Sequence, residues 1–153
     1  IKFDENGEFI KVLGARGSEA GQFYRPHGIV FDANNNMYIT DMRNSRVQVL
    51  DKEFNLVTQW GSYGNGSGKF SLTFPGIDID EKAGLVFVVD KIATNVQIFD
   101  KTGKFISKFG SKGTGDGQFK RPEDIAIDPQ GRIFVCDTGN SRIQIFSKMT
   151  KAL

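Results

Sequence analysis

Short apolar runs separated by polar turns set the rhythm of this chain. IVF, MYIT, VQVL and LVTQW are followed by GIDI, LVFVV, VQIF and FISKF, and then by DIAI, RIFVC and IQIF. Each run is rich in β-branched and aromatic side chains and is flanked by Gly, Asn, Asp or Pro. That pattern predicts antiparallel strands and leaves no room for helices. Glu5-Asn6-Gly7, Lys101-Thr102-Gly103 and Pro129-Gln130-Gly131 place a glycine where a tight hairpin needs positive φ.

The glycine-rich stretch GSKGTGDGQFKRPEDIAID, residues 110–128, resembles a phosphate loop at first reading. It lacks the Lys-Ser/Thr that closes a P-loop and the G-x-G-x-x-G that opens a dinucleotide-binding helix. It is instead a repeat, since GARGSEAGQFYRPHGIVFD spans 14–32 and a looser GSYGNGSGKFSLTFPGIDID spans 61–80. Gly14, Gly61 and Gly110 align, as do Phe23, Phe70 and Phe119, then Pro26, Pro75 and Pro122, then Asp41, Asp90 and Asp137. A period of this length carrying four strands is the signature of a propeller blade. The expected fold is all-β, a propeller of four-stranded blades, with about three blades in one domain over 1–153. The repeats cover approximately 4–50, 51–99 and 100–146. In this arrangement the glycine stretches carry the chain from the outermost strand of one blade to the innermost strand of the next.

These phrases resemble the NHL repeat family, whose blades carry G-x-x-G-x-G-x-F-x-x-P, a strand ending in Asp, and N-x-R-I-Q-V-F. Residues 41–50, DMRNSRVQVL, and 137–146, DTGNSRIQIF, fit well, whereas 90–99, DKIATNVQIF, lacks the Asn and the Arg. The resemblance implies an NHL-type β-propeller, and members of the family differ in function. Tripartite-motif regulators, whose C-terminal propellers this chain resembles, bind single-stranded RNA, and amidating lyases hold a metal through several histidines.

Composition narrows the chemistry. The chain has 153 residues and a formal net charge of +2, so whole-chain electrostatics neither demand nor exclude a polyanionic partner. Cys136 is the single cysteine, which excludes an internal disulfide, and His27 is the single histidine, too few for a zinc site within one chain. No G-x-S-x-G elbow or D-x-D-x-D-G calcium loop occurs, and no cofactor is expected. Asp32, Asp80 and Asp128 recur at one repeat position, which assigns them to hairpin turns; Asp78 lies near the same strand end. No apolar run is long enough for a membrane span. Nothing in the chain indicates a compartment.

Two polar sets, Asp41/Asn44/Arg46 and Asp137/Asn140/Arg142, are expected to be structural, with Arg paired to Asp across or between blades. Asp90 has no local Arg and needs another partner such as Lys91. The loops entering each blade and those between its second and third strands emerge on one face. They hold Arg16, Arg25, Arg43, Arg46, Lys69, Lys91, Lys112, Lys120, Arg121 and Arg142 against Glu19, Asp116, Glu123 and Asp124, with Tyr24, Tyr63 and Phe74 among them. The expected function is a non-catalytic platform that recognises a protein or peptide partner through Tyr24, Arg25, His27, Arg43, Lys91, Lys120 and Arg121. His27 is placed near the central opening. The alternative is single-stranded RNA binding on the same face. A lyase- or hydrolase-type enzyme is disfavoured by the single histidine and the missing nucleophile.

Strand counting adds an expectation about assembly. A partial third strand and an outer strand at Glu8–Leu13 precede two full blades and a third with three clear strands. Propellers close with four to eight blades, so two copies are expected to meet about a two-fold axis as a six-bladed ring, unless the chain is a segment of a longer propeller. In the ring, Glu8–Leu13 serves as fourth strand to Ile125–Phe146 of the other copy, and residues 147–153 peel away from the overlap with 4–10.

Overall fold

The computed structural model describes residues 2–71 and 74–149. The strands are β1 (Lys2–Phe3), β2 (Phe9–Lys11), β3 (Pro26–Phe31), β4 (Met37–Asp41), β5 (Arg46–Leu50), β6 (Leu56–Trp60), β7 (Ile77–Asp80) and β8 (Leu85–Asp90). They continue with β9 (Asn95–Asp100), β10 (Phe105–Phe109), β11 (Ser111–Lys112), β12 (Gln118–Phe119), β13 (Asp124–Ile127), β14 (Ile133–Asp137) and β15 (Arg142–Phe146). Among the described residues there is no α-helix, only 3-10 turns at Met42–Asn44 and Thr138–Asn140.

The sheets are antiparallel meanders in chain order: β3-β4-β5-β6, then β7-β8-β9-β10, then β13-β14-β15. This is an all-β propeller segment with two complete blades and a third of three strands, about half of a six-bladed ring. Each sequence repeat is out of phase with the sheets, because it begins with the outer strand of one blade and continues into the three inner strands of the next. β1 and β2 pair as the end of a third strand and an outer strand. Ile1 and residues 150–153, to which part of the expected peeling away applies, lie outside the described residues.

The blades adhere through their flat faces. Tyr38, Val47 and Val49 of the first blade pack on Ile77, Ile79, Val86 and Val88 of the second. Phe87, Val96 and Ile98 on the other face of the second blade meet Ile125, Ile133 and Val135 of the third. Lying between two neighbours, β8 is buried at every position, whereas β15 alternates between half-buried and exposed residues. A strand covered on both faces reads as a continuous apolar run, and a strand covered on one face alternates.

Glycine permits the innermost strands to approach. A Cβ added to Gly76 would lie 2.8 Å from Asp124 Cα, and one added to Gly28 would overlap the carbonyl oxygen of Pro75. Gly28→Ala is therefore expected to cost about 1–3 kcal/mol through forced separation of two blades. Urea unfolding measures it, and an unchanged midpoint would contradict the close approach.

Candidate binding face

The glycine-rich stretches fold into closed loops whose ends pair in parallel, at Arg16 with Phe23, Tyr63 with Phe70, and β11 with β12. Their glycine amides are largely used within the fold. In the third loop, Gly113 N donates to Phe119 O at 3.0 Å, Gly115 N to Gln118 Oε1 at 3.1 Å, and Gly117 N to Gln144 Oε1 at 2.9 Å. Such a loop has no row of free N–H groups for a phosphate. Gly61, at φ 103°, sits where a Cβ would come within 2.7 Å of the Phe70 ring, so glycine here serves turning and packing.

The polar sets hold these loops. Arg46 Nε donates to Asp41 Oδ2 at 2.9 Å, while its Nη atoms reach the carbonyls of Ser18, Glu19 and Gln22 at 2.7–3.0 Å. Asn44 Nδ2 bridges Asp41 and Gly17 O, each at 2.8 Å, and Gln48 Nε2 donates to Gln22 O at 2.7 Å. Asp137, Asn140, Arg142 and Gln144 repeat this clamp in the third blade. The Arg–Asp pairs thus lie within a blade, across adjacent strands, because Asp41 stands opposite Arg46 and Asp137 opposite Arg142 in register. The expectation of pairing between blades is corrected by that register. Gln48 and Gln144 are members of the clamp that sequence reasoning missed, although both stand two residues after the Arg.

The middle blade solves the same problem without a cation. Asp90 is fully buried and accepts from the Ser71 amide and hydroxyl and from the amides of Ile92 and Ala93. Lys91, expected as its partner, turns to Glu123 of the third blade instead. Asn95 stands in register where Arg46 and Arg142 stand, and its buried Oδ1 accepts no hydrogen bond among the described residues.

Burial would raise the Asp137 carboxyl pKa, but donors outweigh it: Lys120 N at 2.7 Å, then Asn140, Arg142 and Gln144, which together bring it below the ordinary 3.8. Asp32 and Asp128 are lowered in the same direction against burial, Asp32 first by the Asn36 side chain and Asp128 first by the Arg132 guanidinium, with hairpin amides adding to each. A carboxyl lowered by folding contributes stability above its unfolded value, and that contribution is lost as pH falls through the folded value. Asp78 behaves oppositely: burial between blades and then the nearby Asp124 raise it against two amide donors, so its contribution is lost as pH rises through its folded value. The lowered group outnumbers it. The melting temperature is expected to hold down to about pH 4 and to fall below it, with Asp137→Asn flattening that fall. A melting temperature constant from about pH 5 to pH 2.5 would contradict this.

The clamps place a set of cations on one face. Arg25 and Arg121 precede β3 and β13 at equivalent positions, exposed and both in the left-handed backbone region, at φ 61° and 52°. Glycine takes that conformation at lower cost, so retaining arginine there keeps two guanidinium groups on the face. Arg43, in the turn after β4, and Lys120 are exposed beside them, since Arg43 N donates to Tyr24 O and Gly139 N to Lys120 O. Among the described residues, no hydrogen bond or ion pair engages the side chains of Arg25, Arg43, Lys120, Arg121 or His27. Lys91 is half-buried in its ion pair with Glu123, whose carboxyl it holds below the usual range, with Arg121 and His27 adding to the effect. His27 is exposed on β3, the first strand of the first blade. Tyr24 lies half-exposed under the Arg16 guanidinium at 4.6 Å, and Tyr63 is 71% exposed. Phe74, expected among them, is fully buried and stacked on Phe70 at 4.5 Å. Among the described residues, no group of three His, Cys, Asp or Glu is placed to hold a metal.

Comparison with known proteins agrees with the architecture. The 6-bladed beta-propeller family matches residues 77–151, and the NHL repeat matches 23–50. Protein brain tumor of Drosophila melanogaster is 29% identical over 137 residues, which is 89% of this chain and 13% of that protein. NHL repeat-containing protein 3 of Mus musculus is 27% identical over 157 residues, 97% of this chain and 31% of that protein. The chain therefore spans less than a third of these curated relatives. Virginiamycin B lyase from Staphylococcus aureus superposes with a TM-score of 0.56 at 16% identity, over 97% of this chain and 48% of that one, a likeness of fold alone.

Proposed function

The chain belongs to the NHL-repeat β-propeller family, and from that premise we propose that it is a non-catalytic recognition platform whose basic loop face binds an acidic segment of a protein or peptide. One observation carries the reading: among the described residues the side chains of Arg25, Arg43, Lys120 and Arg121 stand exposed on a single face with no hydrogen bond or ion pair, whereas Arg46 and Arg142, on the same side, are consumed by the clamps. Cations left unpaired beside cations fully used are suited to carboxylates from outside. In this reading the three blades are half of a six-bladed ring, completed by a second copy or by further blades of a longer chain.

Single-stranded RNA is a second reading, favoured by the exposed Tyr24 and Tyr63 rings beside these cations. Fluorescence anisotropy separates the two. The expected result is that a labelled deca-glutamate peptide binds more tightly than a labelled ten-nucleotide RNA at equal salt. If RNA binds better, with a log–log salt slope of about −3 from four phosphate contacts, the peptide reading fails in favour of RNA.

A further inference from the structure

The three blades offer equivalent positions on the loop face and fill them differently. The residue paired with the loop phenylalanine is Arg16 in the first blade, Tyr63 in the second and Lys112 in the third. Two residues after the strand-end Asp stand Arg43, Ile92 and Gly139 in turn. Arg25 and Arg121 have no cationic counterpart between them, because the middle repeat reads SLTFP where the others read YRP and KRP. Lys91, beside the middle strand-end Asp, is taken by Glu123. Lys69 lies along its own loop, where a Cβ on Gly64 would come within 2.8 Å of its Cδ. In blade order the face is therefore basic, apolar and basic.

Ile92 and Tyr63 form the apolar part. The amides of Ile92 and Ser71 both donate to the Asp90 carboxylate, at 3.2 and 2.8 Å, and Tyr63 bridges Phe70, the residue before Ser71. Strand-end Asp and loop closure thus hold both backbones in one place. The side chains are left in solvent, Ile92 64% and Tyr63 71% exposed. Both flat faces of the second blade are buried against its neighbours, so the patch belongs to the loop surface between two blades and not to an open blade face. An apolar centre within a charged rim is the arrangement of a recognition surface.

We propose that the acidic segment bound by this face carries one large apolar side chain at its centre, which packs on Ile92 and Tyr63 while acidic residues on either side of it reach the cations of the first and third blades. This rests on the peptide reading above and adds the order of side chains in the partner. Packed sheets lie about 10 Å apart, so cations one blade to either side of the patch are roughly three residues of extended chain from it. Glu19, Asp116 and Asp124, also on the flanking blades, are outnumbered by those cations. Charge complementarity draws in the two acidic arms, and the apolar contact sets their register. A uniformly acidic segment would leave Ile92 and Tyr63 uncovered and could slide along the face.

The experiment is fluorescence anisotropy of the full chain with three labelled peptides. The first has three glutamates, glycine, phenylalanine, glycine and three glutamates; the second has glycine in place of the phenylalanine; the third has the composition of the first with its phenylalanine moved to one end. The first is expected to bind at least about tenfold more tightly than either of the others. The Ile92→Ser, Tyr63→Ser variant, changed at two exposed positions, is expected to keep its circular dichroism spectrum and to bind the first and second peptides alike. Equal affinity of the native chain for the first and second peptides, or a preference that survives in the variant, would overturn the apolar contact while leaving acidic capture in place. A third peptide that binds as well as the first would overturn the order of side chains. Displacement of the first peptide by an equal concentration of a ten-nucleotide RNA would overturn the proposal in favour of RNA. Binding of none of the three at about 50 mM salt would overturn acidic capture itself, and this inference with it.

Discussion

Replacing Asp41 with alanine is expected to remove about 3–5 kcal/mol of folding free energy, the usual consequence of stranding one member of a buried ion pair. Asp41 is fully buried and holds Arg46 Nε, Asn44 Nδ2 and the Tyr24 amide within 2.9 Å. Its loss leaves a guanidinium at the base of the loop with only carbonyl partners, and leaves the Tyr24 amide without an acceptor. In a domain whose net stability is about 5–15 kcal/mol, that is a large fraction. The effect extends to the binding face, because Asp41 fixes Tyr24, and Arg43 N donates to Tyr24 O. Urea unfolding and anisotropy should move together. A loss below about 1 kcal/mol would mean that the clamp does not anchor the loop.

Phe99→Ala is the second large expectation, at about 3–5 kcal/mol from lost burial and the cavity left behind. The Phe99 ring is fully buried at the junction of the first two blades, with ring centres 5.7 Å from Trp60, 5.6 Å from Phe70 and 5.9 Å from Phe105. Those neighbours come from the outer strand of one blade, the glycine loop and the outer strand of the next, so one truncation loosens three elements. Collapse around the cavity is resisted by the strands on either side. A loss below about 1.5 kcal/mol in urea unfolding would show that the blades adjust more freely than this packing implies.

The strands and their blade order were legible in the sequence because propeller periodicity repeats its glycines, aromatics and strand-end Asp in register. The hairpin roles of Asp32, Asp80 and Asp128 were legible for the same reason, and each accepts from amides of its own turn. The middle blade was misread where its loop lengthens before β7. Ser71 holds the aligned place of Tyr24 and Lys120, each donating its amide to the strand-end Asp, but the bond from its hydroxyl to Asp90 and the inward turn of Phe74 do not follow from aligned phrases. Lys91 could be placed on the correct face, but its choice of Glu123 over Asp90 depends on how the third blade sits against the second. Where β3 pairs with β4 the register shifts between Pro26, opposite Asp41, and Ile29, opposite Ile39, and that irregularity has no sequence marker either. On the candidate face, the exposed cations could be counted from the loops. Which of them remain unpaired depended on the clamp geometry.

The measurement that tests the central claim most directly is anisotropy of labelled deca-glutamate against the native chain and an Arg25→Glu, Arg121→Glu variant. Both substituted side chains are exposed and without ion pairs among the described residues, so unfolding of the variant is not expected. The account predicts binding to the native chain at about 50 mM salt, weakening with added salt, and at least about a tenfold loss in the variant. Equal affinity for the two proteins, or no binding to the native chain at that salt, would contradict the assignment of this face as the recognition surface.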